Sequence, residues 1–325
     1  MSASTPPVQV DRALSRRADP RALTARVLLA AGLVAPLILP GDYLRHIAVL
    51  CGIYVILTVS LNIPAGYLGL LHLGHAAFFG IGAYAAALLT VDVFHGSWPG
   101  FWIGLPAAGA MAALFGVLLG IPTMRVRGDY LAIVTLGFGE IVRFVLINWE
   151  SVTRGPIGIP DIPLPALPGI TFADKTAYYY LVLVFVLLTV LPVAAMRRGA
   201  LGRAWIAIRD NEVAAEAMGV PTGLCKILGL AIAAFYAGIA GALYAHYVSY
   251  INPAGFSGWE SITILTMLAL GGRGTIVGAV VGAIVLTVVP ELLRGLALYR
   301  QLAYGVLMVV LMVFRPRGLM GDRGV

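Results

Sequence analysis

A carboxylate and a guanidinium stand three residues apart in an otherwise apolar segment, TLGFGEIVRF, as Glu140 and Arg143. Residues three apart lie on one face of an α-helix, so the two side chains can form an ion pair. Charged groups within apolar segments are costly, and they are usually paired or functional. Two interpretations remain open: a self-neutralising structural pair, or a pair that lines a pathway, together with Thr135, and contacts the charged ends of a zwitterion.

Two histidines, His72 and His75, are also three apart in the sequence. No carboxylate or thiol stands nearby, so packing or hydrogen bonding is favoured over metal binding, and both residues stay candidates for lining the same pathway. Cys51 and Cys225 are isolated thiols, which suggest neither a disulfide framework nor a metal site. We therefore predict no metal and no cofactor.

Several kinds of catalytic motif are missing from the sequence. It contains no G-x-x-x-x-G-K-[ST] phosphate loop, and its two lysines, Lys175 and Lys226, follow no glycine-rich turn. It contains neither G-x-S-x-G nor H-E-x-x-H, so an integral membrane enzyme is the least favoured class. We predict a protein that is not an enzyme and that performs no ATP chemistry of its own.

The composition places these residues in a membrane. Of the 325 residues, 60% are hydrophobic, and the mean hydropathy is +0.93. Helices that cross a bilayer need about 20 apolar residues, whereas barrel strands would alternate over about ten. The fold class is therefore predicted to be all-α, a polytopic helical membrane protein with nine or ten transmembrane segments. The predicted segments are 25–40, 46–63, 68–90, 101–122, 129–148, 176–196, 226–250, 260–271, 275–292 and 299–314. The segment 260–271 is short and ends in GGRG, so we predict that it is a half-span or re-entrant.

The distribution of basic residues predicts the orientation. With the N-terminus inside, 16 Lys and Arg residues fall in inside regions, five fall outside, and Arg143 lies within a span. This bias is typical of cytoplasmic loops. Residues 1–24 are predicted to be a cytoplasmic tail, residues 25–325 a single transmembrane domain, and both termini cytoplasmic. The net charge of +7 is explained by topology, so no nucleic-acid partner is predicted.

The longest external segment, 149–175, contains five prolines within GPIGIPDIPLPALPGI. Prolines at this density favour extended backbone and exclude a continuous helix. The segment is either a structured external loop or a spacer.

A charged island, GRAWIAIRDNEVAAEAMGVP at 202–221, interrupts the apolar chain. Asp210 or Asn211 can cap a helix over 211–218, and Gly219 with the following proline ends it. Glu212 and Glu216 share one face of this helix, and beside them two apolar pairs four residues apart form a ridge. Such a helix suits a groove on another protein. A solvated helix without a partner is the alternative.

Several motifs together resemble a known family. The charged island is similar to the loop by which membrane subunits of ABC importers dock their ATPase subunits. The segments GYLGLLHLGHAAFFGIGAYAAALL (66–89), MRVRGDYLAIVTLGFGEIVRF (124–144) and LMVFRPRGLMG (311–321) resemble permeases for branched-chain amino acids, specifically the M-type subunit. The resemblance extends from about residue 40 to 321.

The resemblance implies a permease domain of the plasma (inner) membrane that imports leucine, isoleucine or valine, driven by ATP hydrolysis on other subunits. It implies four kinds of partner: a second homologous permease, two ATPase subunits, an extracytoplasmic substrate-binding protein and the lipid bilayer. Urea, amides or other amino acids are alternative substrates, and a proton-coupled secondary transporter is a less favoured alternative.

Within a coupling loop at 197–225, the resemblance implies that a set of island residues docks the ATPase. These residues are Gly202, Arg203, Ala204, Arg209, Asp210, Asn211, Glu212, Ala215, Glu216, Met218 and Gly219.

Overall fold

The computed structural model describes residues 32–33, 36, 41–124, 126, 128–167, 170–292, 305 and 318–320. The regular structure within these ranges is almost entirely helical. The helices are α1 (Asp42–Leu61), α2 (His75–Leu88), α3 (Pro99–Thr123), α4 (Asp129–Asn148), α5 (Glu150–Thr153), α6 (Lys175–Arg198), α7 (Ala200–Asp210), α8 (Glu212–Ala217), α9 (Thr222–Val248), α10 (Gly258–Gly271) and α11 (Ile276–Leu292). Two short antiparallel strands, β1 (Ala166–Leu167) and β2 (Ile170–Thr171), pair in the segment between α5 and α6.

Within the described residues, six helices are long and apolar enough to cross a membrane. They correspond to the predicted segments 46–63, 68–90, 101–122, 129–148, 176–196 and 226–250. The predicted segments 25–40 and 299–314 lie almost wholly outside the described residues. The structure therefore confirms a multi-helical apolar bundle, and the count of nine or ten segments stays a prediction.

The prediction of a continuous helix over 68–90 was wrong at its start. Helix α1 continues into a π-helical turn, Asn62–Tyr67, and α2 begins only at His75. Pro64 lacks an N–H and so cannot donate to a carbonyl in the preceding turn. Backbone hydrogen bonds that span five and six residues replace the regular four-residue spacing: Leu68 donates to the carbonyl of Ile63, and Leu70 donates to that of Pro64. The chain then turns at Gly69, whose φ of +71° favours glycine.

Helix α10 is too short to span a bilayer. Its 14 residues correspond to about 21 Å, whereas the hydrocarbon core is about 30 Å thick. The helix stops where Gly272 and Gly274 adopt φ values of +120° and +79°. This length supports the prediction of a half-span at 260–271.

Helix α9 forms the centre of the bundle and packs closely on α2 and α3. The approach depends on glycine: a Cβ added to Gly82 on α2 would lie 2.3 Å from the Cα of Gly238 on α9. A Cβ added to Gly238 would lie 2.5 Å from the carbonyl oxygen of Ala108 on α3. Small residues allow helices to approach this closely in membranes.

The proline-rich segment after α4 is folded. It contains the single turn α5, a 3₁₀ turn at Gly155–Ile157 and the β1–β2 hairpin. A backbone bridge between Ile159 and Ile251 joins it to the segment that precedes α10. As the prolines predicted, the described part of this segment has no helix longer than four residues.

Candidate functional site

The charged island folds into two short helices, α7 and α8. The side-chain oxygen of Asn211 accepts a hydrogen bond from the N–H of Ala214 at 3.0 Å, which caps the N-terminus of α8. Gly219 adopts a φ of +83° directly after the helix, where glycine is favoured. The predicted capped helix at 211–218 is therefore present as Glu212–Ala217, with Asn211 rather than Asp210 as the cap.

One side of α8 faces outward. Val213 is 62% exposed and Met218 is 85% exposed, and Ala214 and Ala217 between them are also exposed. Glu216 lies exposed beside this apolar ridge, whereas Ala215 is buried beneath it. The outward surface of α8 thus combines an apolar ridge with one carboxylate.

The other side of the island is fixed to helix α9. Lys226 is 2% exposed, and its Nζ donates to Glu212 Oε1 at 2.7 Å. The indole Nε1 of buried Trp205 donates to the carbonyl of Cys225 at 3.0 Å. The sequence grouped Glu212 with Glu216 on one face, but the structure turns Glu212 inward. Residues 212 and 226 are 14 apart, so helical spacing could not have revealed the pair.

The remaining island residues have structural surroundings of their own. A Cβ added to Gly202 would lie 2.2 Å from the carbonyl oxygen of Arg197, so only glycine fits there. Exposed Arg203 donates to the carbonyl of Arg198 at 3.1 Å. Ala204 is partly buried, and Asp210 is exposed and lies 3.5 Å from Arg209 Nε.

Arg209 extends from α7 to the break that follows α1. Its Nη1 donates to the carbonyl of Gly66 at 3.1 Å. A Cβ added to Gly274 would lie 3.3 Å from the same nitrogen, and a Cβ on Gly69 would lie 2.6 Å from Arg209 Cγ. The side chain of Arg209 therefore occupies the space that side chains at positions 69 and 274 would fill.

The same place joins two interrupted helices, and we call residues 62–66 together with 271–275 the glycine junction. Asn62 Oδ1 accepts from the N–H of Gly274 at 2.8 Å, and its Nδ2 donates to the carbonyl of Thr275 at 3.3 Å. The N–H of Leu319 donates to the carbonyl of Leu270 at 2.8 Å. Side chains and a distant backbone segment thus satisfy groups that the broken helices leave open. Asn62 was missed because its partners are more than 200 residues away.

Glu140 and Arg143 form the predicted ion pair on α4, with Arg143 Nε 2.8 Å from Glu140 Oε2. Glu140 Oε1 also accepts from the N–H of Gly258 at 3.3 Å, at the N-terminus of α10. The two side chains keep exposed fractions of 36% and 27% on a helix of which only 28% is buried. The pair is therefore open on one side.

His72, His75 and Thr135 lie in one buried neighbourhood. Thr135 Oγ1 accepts from the N–H of Leu73 at 3.0 Å, and His75 Nε2 lies 2.9 Å from Ser60 Oγ. The ring of His72 is 5.8 Å from that of His75, and neither ring nitrogen of His72 has a hydrogen-bond partner among the described residues. Among the described residues, no group of three His, Cys, Asp or Glu is arranged to hold a metal.

A further carboxylate, Glu260, lies in the first turn of α10 and was missed among the pathway candidates. Its Oε1 is buried, and no described residue forms a hydrogen bond with it. The sequence feature that could have identified it is an acidic residue inside a segment predicted to be a half-span.

Comparisons with known proteins agree with this architecture. Residues 43–315 match the family model described as branched-chain amino acid transport system / permease component. The chain is 42% identical over 297 residues to the high-affinity branched-chain amino acid transport system permease protein LivM of Escherichia coli K12, covering 84% of this chain and 69% of the relative. It is 23% identical over 290 residues to the corresponding LivH protein of the same strain, covering 82% and 91%.

A third relative is the autoinducer 2 import system permease protein LsrC of Salmonella paratyphi B. It is 26% identical over 225 residues, covering 64% of this chain and 63% of the relative. No solved structure matches the chain.

Proposed function

Because the chain belongs to the branched-chain amino acid transport system permease family, we propose that it is the transmembrane permease subunit of an ABC importer. Its substrates are leucine, isoleucine and valine, which it moves into the cytoplasm. ATP hydrolysis on separate ATPase subunits drives the transport. The high identity to a LivM permease over most of the chain supports this substrate class.

The observation that carries the proposal is the construction of α8. Its ridge of Val213, Ala214, Ala217 and Met218 is exposed, while its base is anchored by the buried Glu212–Lys226 pair. An exposed apolar ridge on a short capped helix suits a groove on a partner protein. Because the base of α8 is anchored to α9, a displacement of the ridge by a partner is transmitted to the membrane domain. These are the two properties that a docking and coupling element needs.

Arg209 provides a route from the docking helix to the transmembrane helices. It stands at the end of α7, directly before α8, and holds the glycine junction through the Gly66 carbonyl. The junction joins α1 to the loop between α10 and α11. Movement of α7 and α8 would therefore be transmitted to two interrupted helices, where the backbone is easiest to displace.

The partners follow from the family. Similarity to both LivM and LivH proteins supports pairing with a second homologous permease. Two ATPase subunits would bind α8 on the cytoplasmic side, and an extracytoplasmic binding protein would deliver substrate at the opposite side. Both termini would then be cytoplasmic.

The partly exposed Glu140–Arg143 pair is proposed to face the pathway rather than lipid. A charged pair open on one side is costly against hydrocarbon and is usually placed toward protein or water. A carboxylate and a guanidinium together complement the two charged ends of an amino acid. His72, His75 and Thr135 line the same region in this proposal, although all three are buried in the present conformation.

A different substrate class remains as a second candidate. Similarity to an autoinducer 2 import permease supports the view that this architecture serves more than one solute. Urea, amides or other amino acids are the alternatives within it. A proton-coupled secondary transporter would use an acid or a histidine as a relay, and it would work without partner subunits.

Reconstitution tests the proposal. The chain is placed in liposomes with its second permease, ATPase subunits and binding protein, and uptake of labelled leucine is measured with and without ATP. Uptake should require ATP and every partner, and liposomes containing the chain alone should be inactive. Uptake by the chain alone under a pH gradient would contradict the importer assignment, and uptake of urea but not leucine would replace the substrate class.

A further inference from the structure

Glu260 occupies an unusual position for an ionisable residue. It lies in the first turn of α10, and its Oε1 is buried without a hydrogen-bond partner. Tyr54 on α1 and Tyr244 on α9 both lie close enough to the carboxylate to interact with it electrostatically. Among the described residues, no Lys, Arg or His forms an ion pair with it.

Helix capping does not account for this side chain. The sequence S-G-W-E at 257–260 has the spacing of a capping box, in which the carboxylate turns back to the N–H of the first residue. In the structure Ser257 makes no side-chain cap, and Oε1 of Glu260 makes no bond at all. The first-turn position favours a negative charge through the helix dipole, yet it leaves that oxygen open.

The surroundings of Glu260 are aromatic, and we define the aromatic cluster as Tyr54, Phe79, Tyr84, Tyr244 and Phe256. The ring centroids of Phe79 lie 5.3 Å from Tyr244 and 5.2 Å from Phe256, and Tyr84 lies 6.1 Å from Phe256. Tyr84 is 2% exposed, and its hydroxyl has no partner either. These contacts join rings from α2, from α9 and from the 3₁₀ turn Pro253–Phe256 directly before α10. The unsatisfied hydroxyl of Tyr84 belongs to this cluster, and the unsatisfied carboxylate oxygen of Glu260 lies beside it through Tyr244.

A carboxylate with one buried, unpaired oxygen next to aromatic rings is a suitable environment for an organic ammonium group. The N–H groups of an ammonium can donate to the open carboxylate oxygen and to an unpaired hydroxyl. Its positive charge is attracted to the faces of tyrosine and phenylalanine. It also supplies the counter-charge that no described side chain gives to Glu260.

We propose that Glu260 and the aromatic cluster bind the α-ammonium group of the amino acid that passes through the protein. The site takes a primary ammonium attached to a small aliphatic group. This inference rests on the proposed function for the identity of the solute, and it adds a binding group distinct from Glu140 and Arg143.

The test measures binding to the assembled importer in lipid nanodiscs by saturation-transfer NMR. The probes are 3-methylbutylamine, which retains the ammonium of leucine, and 4-methylpentanoate, which retains its carboxylate, with empty nanodiscs as the blank. The amine should bind the wild-type complex, and Glu260→Gln should weaken its binding by about tenfold or more, since a charged hydrogen bond is lost. Binding of the carboxylate probe should change little. The matched control is Glu150→Gln, an exposed carboxylate in α5.

Equal amine binding in the wild type and in Glu260→Gln would overturn the proposal, and so would no amine binding to the wild type. If Glu260→Gln fails to assemble, Tyr84→Phe and Glu260→Asp decide the question, because unchanged amine binding in both would also overturn it. Leucine uptake in the same preparations tests the proposed function separately. A wild-type complex that binds the amine through Glu260 but imports no leucine would refute the function and retain the site.

Discussion

The contact between Glu212 and Lys226 separates two roles within one short charged segment. Lys226 has almost no exposure to solvent, so the carboxylate of Glu212 is its counter-charge rather than a group offered to a partner. Glu216, one helical turn later, is exposed, and no described basic side chain forms an ion pair with it. One acidic residue of the island therefore holds the structure, and the other is available for contact.

Replacing Glu212 by Gln should destabilise the protein, because it leaves the ammonium of Lys226 buried without a counter-charge. We expect a loss of about 2–4 kcal/mol, toward the lower end of the range for broken buried pairs because Glu212 keeps some exposure. The thermal unfolding midpoint in detergent measures it. Glu216→Gln is the control and should unfold at the wild-type temperature. If the double variant Glu212→Gln/Lys226→Met recovers much of the lost stability, the unpaired ammonium of Lys226 is the cause of that loss. A Glu212→Gln variant that unfolds at the wild-type temperature would contradict the prediction.

Replacing Arg209 by Ala should uncouple ATP hydrolysis from transport, because the bond to the Gly66 carbonyl is lost while the exposed face of α8 is unchanged. Leucine uptake should fall by roughly tenfold, the effect expected of a residue that carries coupling between sites. ATPase subunits should copurify normally and should hydrolyse ATP. Arg198→Ala is the matched control, since Arg198 is exposed at the end of α6 and lies outside the residues implied to dock the ATPase. Equal losses of uptake and copurification would argue for misfolding instead.

Replacing Glu140 by Gln distinguishes the two interpretations of its pair with Arg143. If the pair faces the pathway, uptake should fall by about tenfold or more while ATPase docking is retained, since a charged contact with substrate is lost. The measurement is leucine uptake with copurification as the folding control. Uptake at the wild-type rate in Glu140→Gln would leave only the interpretation of Glu140 and Arg143 as a structural pair.

At the scale of single elements, α8 depends on local chemistry. Its cap, its glycine stop and its exposed ridge all involve residues within ten positions of one another, and this is why the sequence could predict them. The same holds for the pairing of Glu140 with Arg143 on α4.

Substituting an acid on the ridge of α8 should impair docking. Met218→Glu places a charge where an apolar side chain would be buried, and losing such burial weakens association by about tenfold or more. Copurification of ATPase subunits measures this. Ile157→Glu is the control, because Ile157 is 75% exposed in the segment predicted to lie on the opposite side of the membrane. Unaffected copurification of Met218→Glu would contradict docking through this ridge.

The interruptions of helices were harder to predict than the helices themselves. An apolar pattern extends through residues 62–74, but the structure has a π-helical turn and then irregular backbone before His75. Pro64 and the nearby glycines permit that break, yet its stability depends on Asn62, Arg209 and Gly274. These residues are distant in sequence, and hydropathy contains no information about their pairing.

At the scale of the whole molecule, composition and apolar segment lengths were enough to predict a helical membrane protein and the approximate positions of its described spans. The arrangement of the bundle around α9 was not predictable, because it depends on glycine contacts such as Gly82 with Gly238. The cluster around Glu260 was missed for the same reason. Its rings come from three α-helices, α1, α2 and α9, and from the 3₁₀ turn that precedes α10.

The orientation predicted from basic residues can be measured by labelling. In a variant whose two native cysteines, both buried, are replaced by Ala, a cysteine at Ile157 should react with a membrane-impermeant maleimide in intact cells. A cysteine at Met218 should react only after permeabilisation. Both parent residues are highly exposed, so access is not limited by burial. The reverse pattern would invert the topology.

The glycine junction has a consequence for how the protein is made. The carbonyl of Gly66 bonds to a side chain 143 residues later, and Asn62 bonds to a residue 213 positions later. A ribosome releases residues 62–66 long before these partners exist, so the bonds that stabilise the break in α1 cannot form during early insertion. Helix α1 and the break after it therefore complete their fold only after the charged island and α10 have been synthesised. A chain truncated before Arg209 would lack the bonds that stabilise this break.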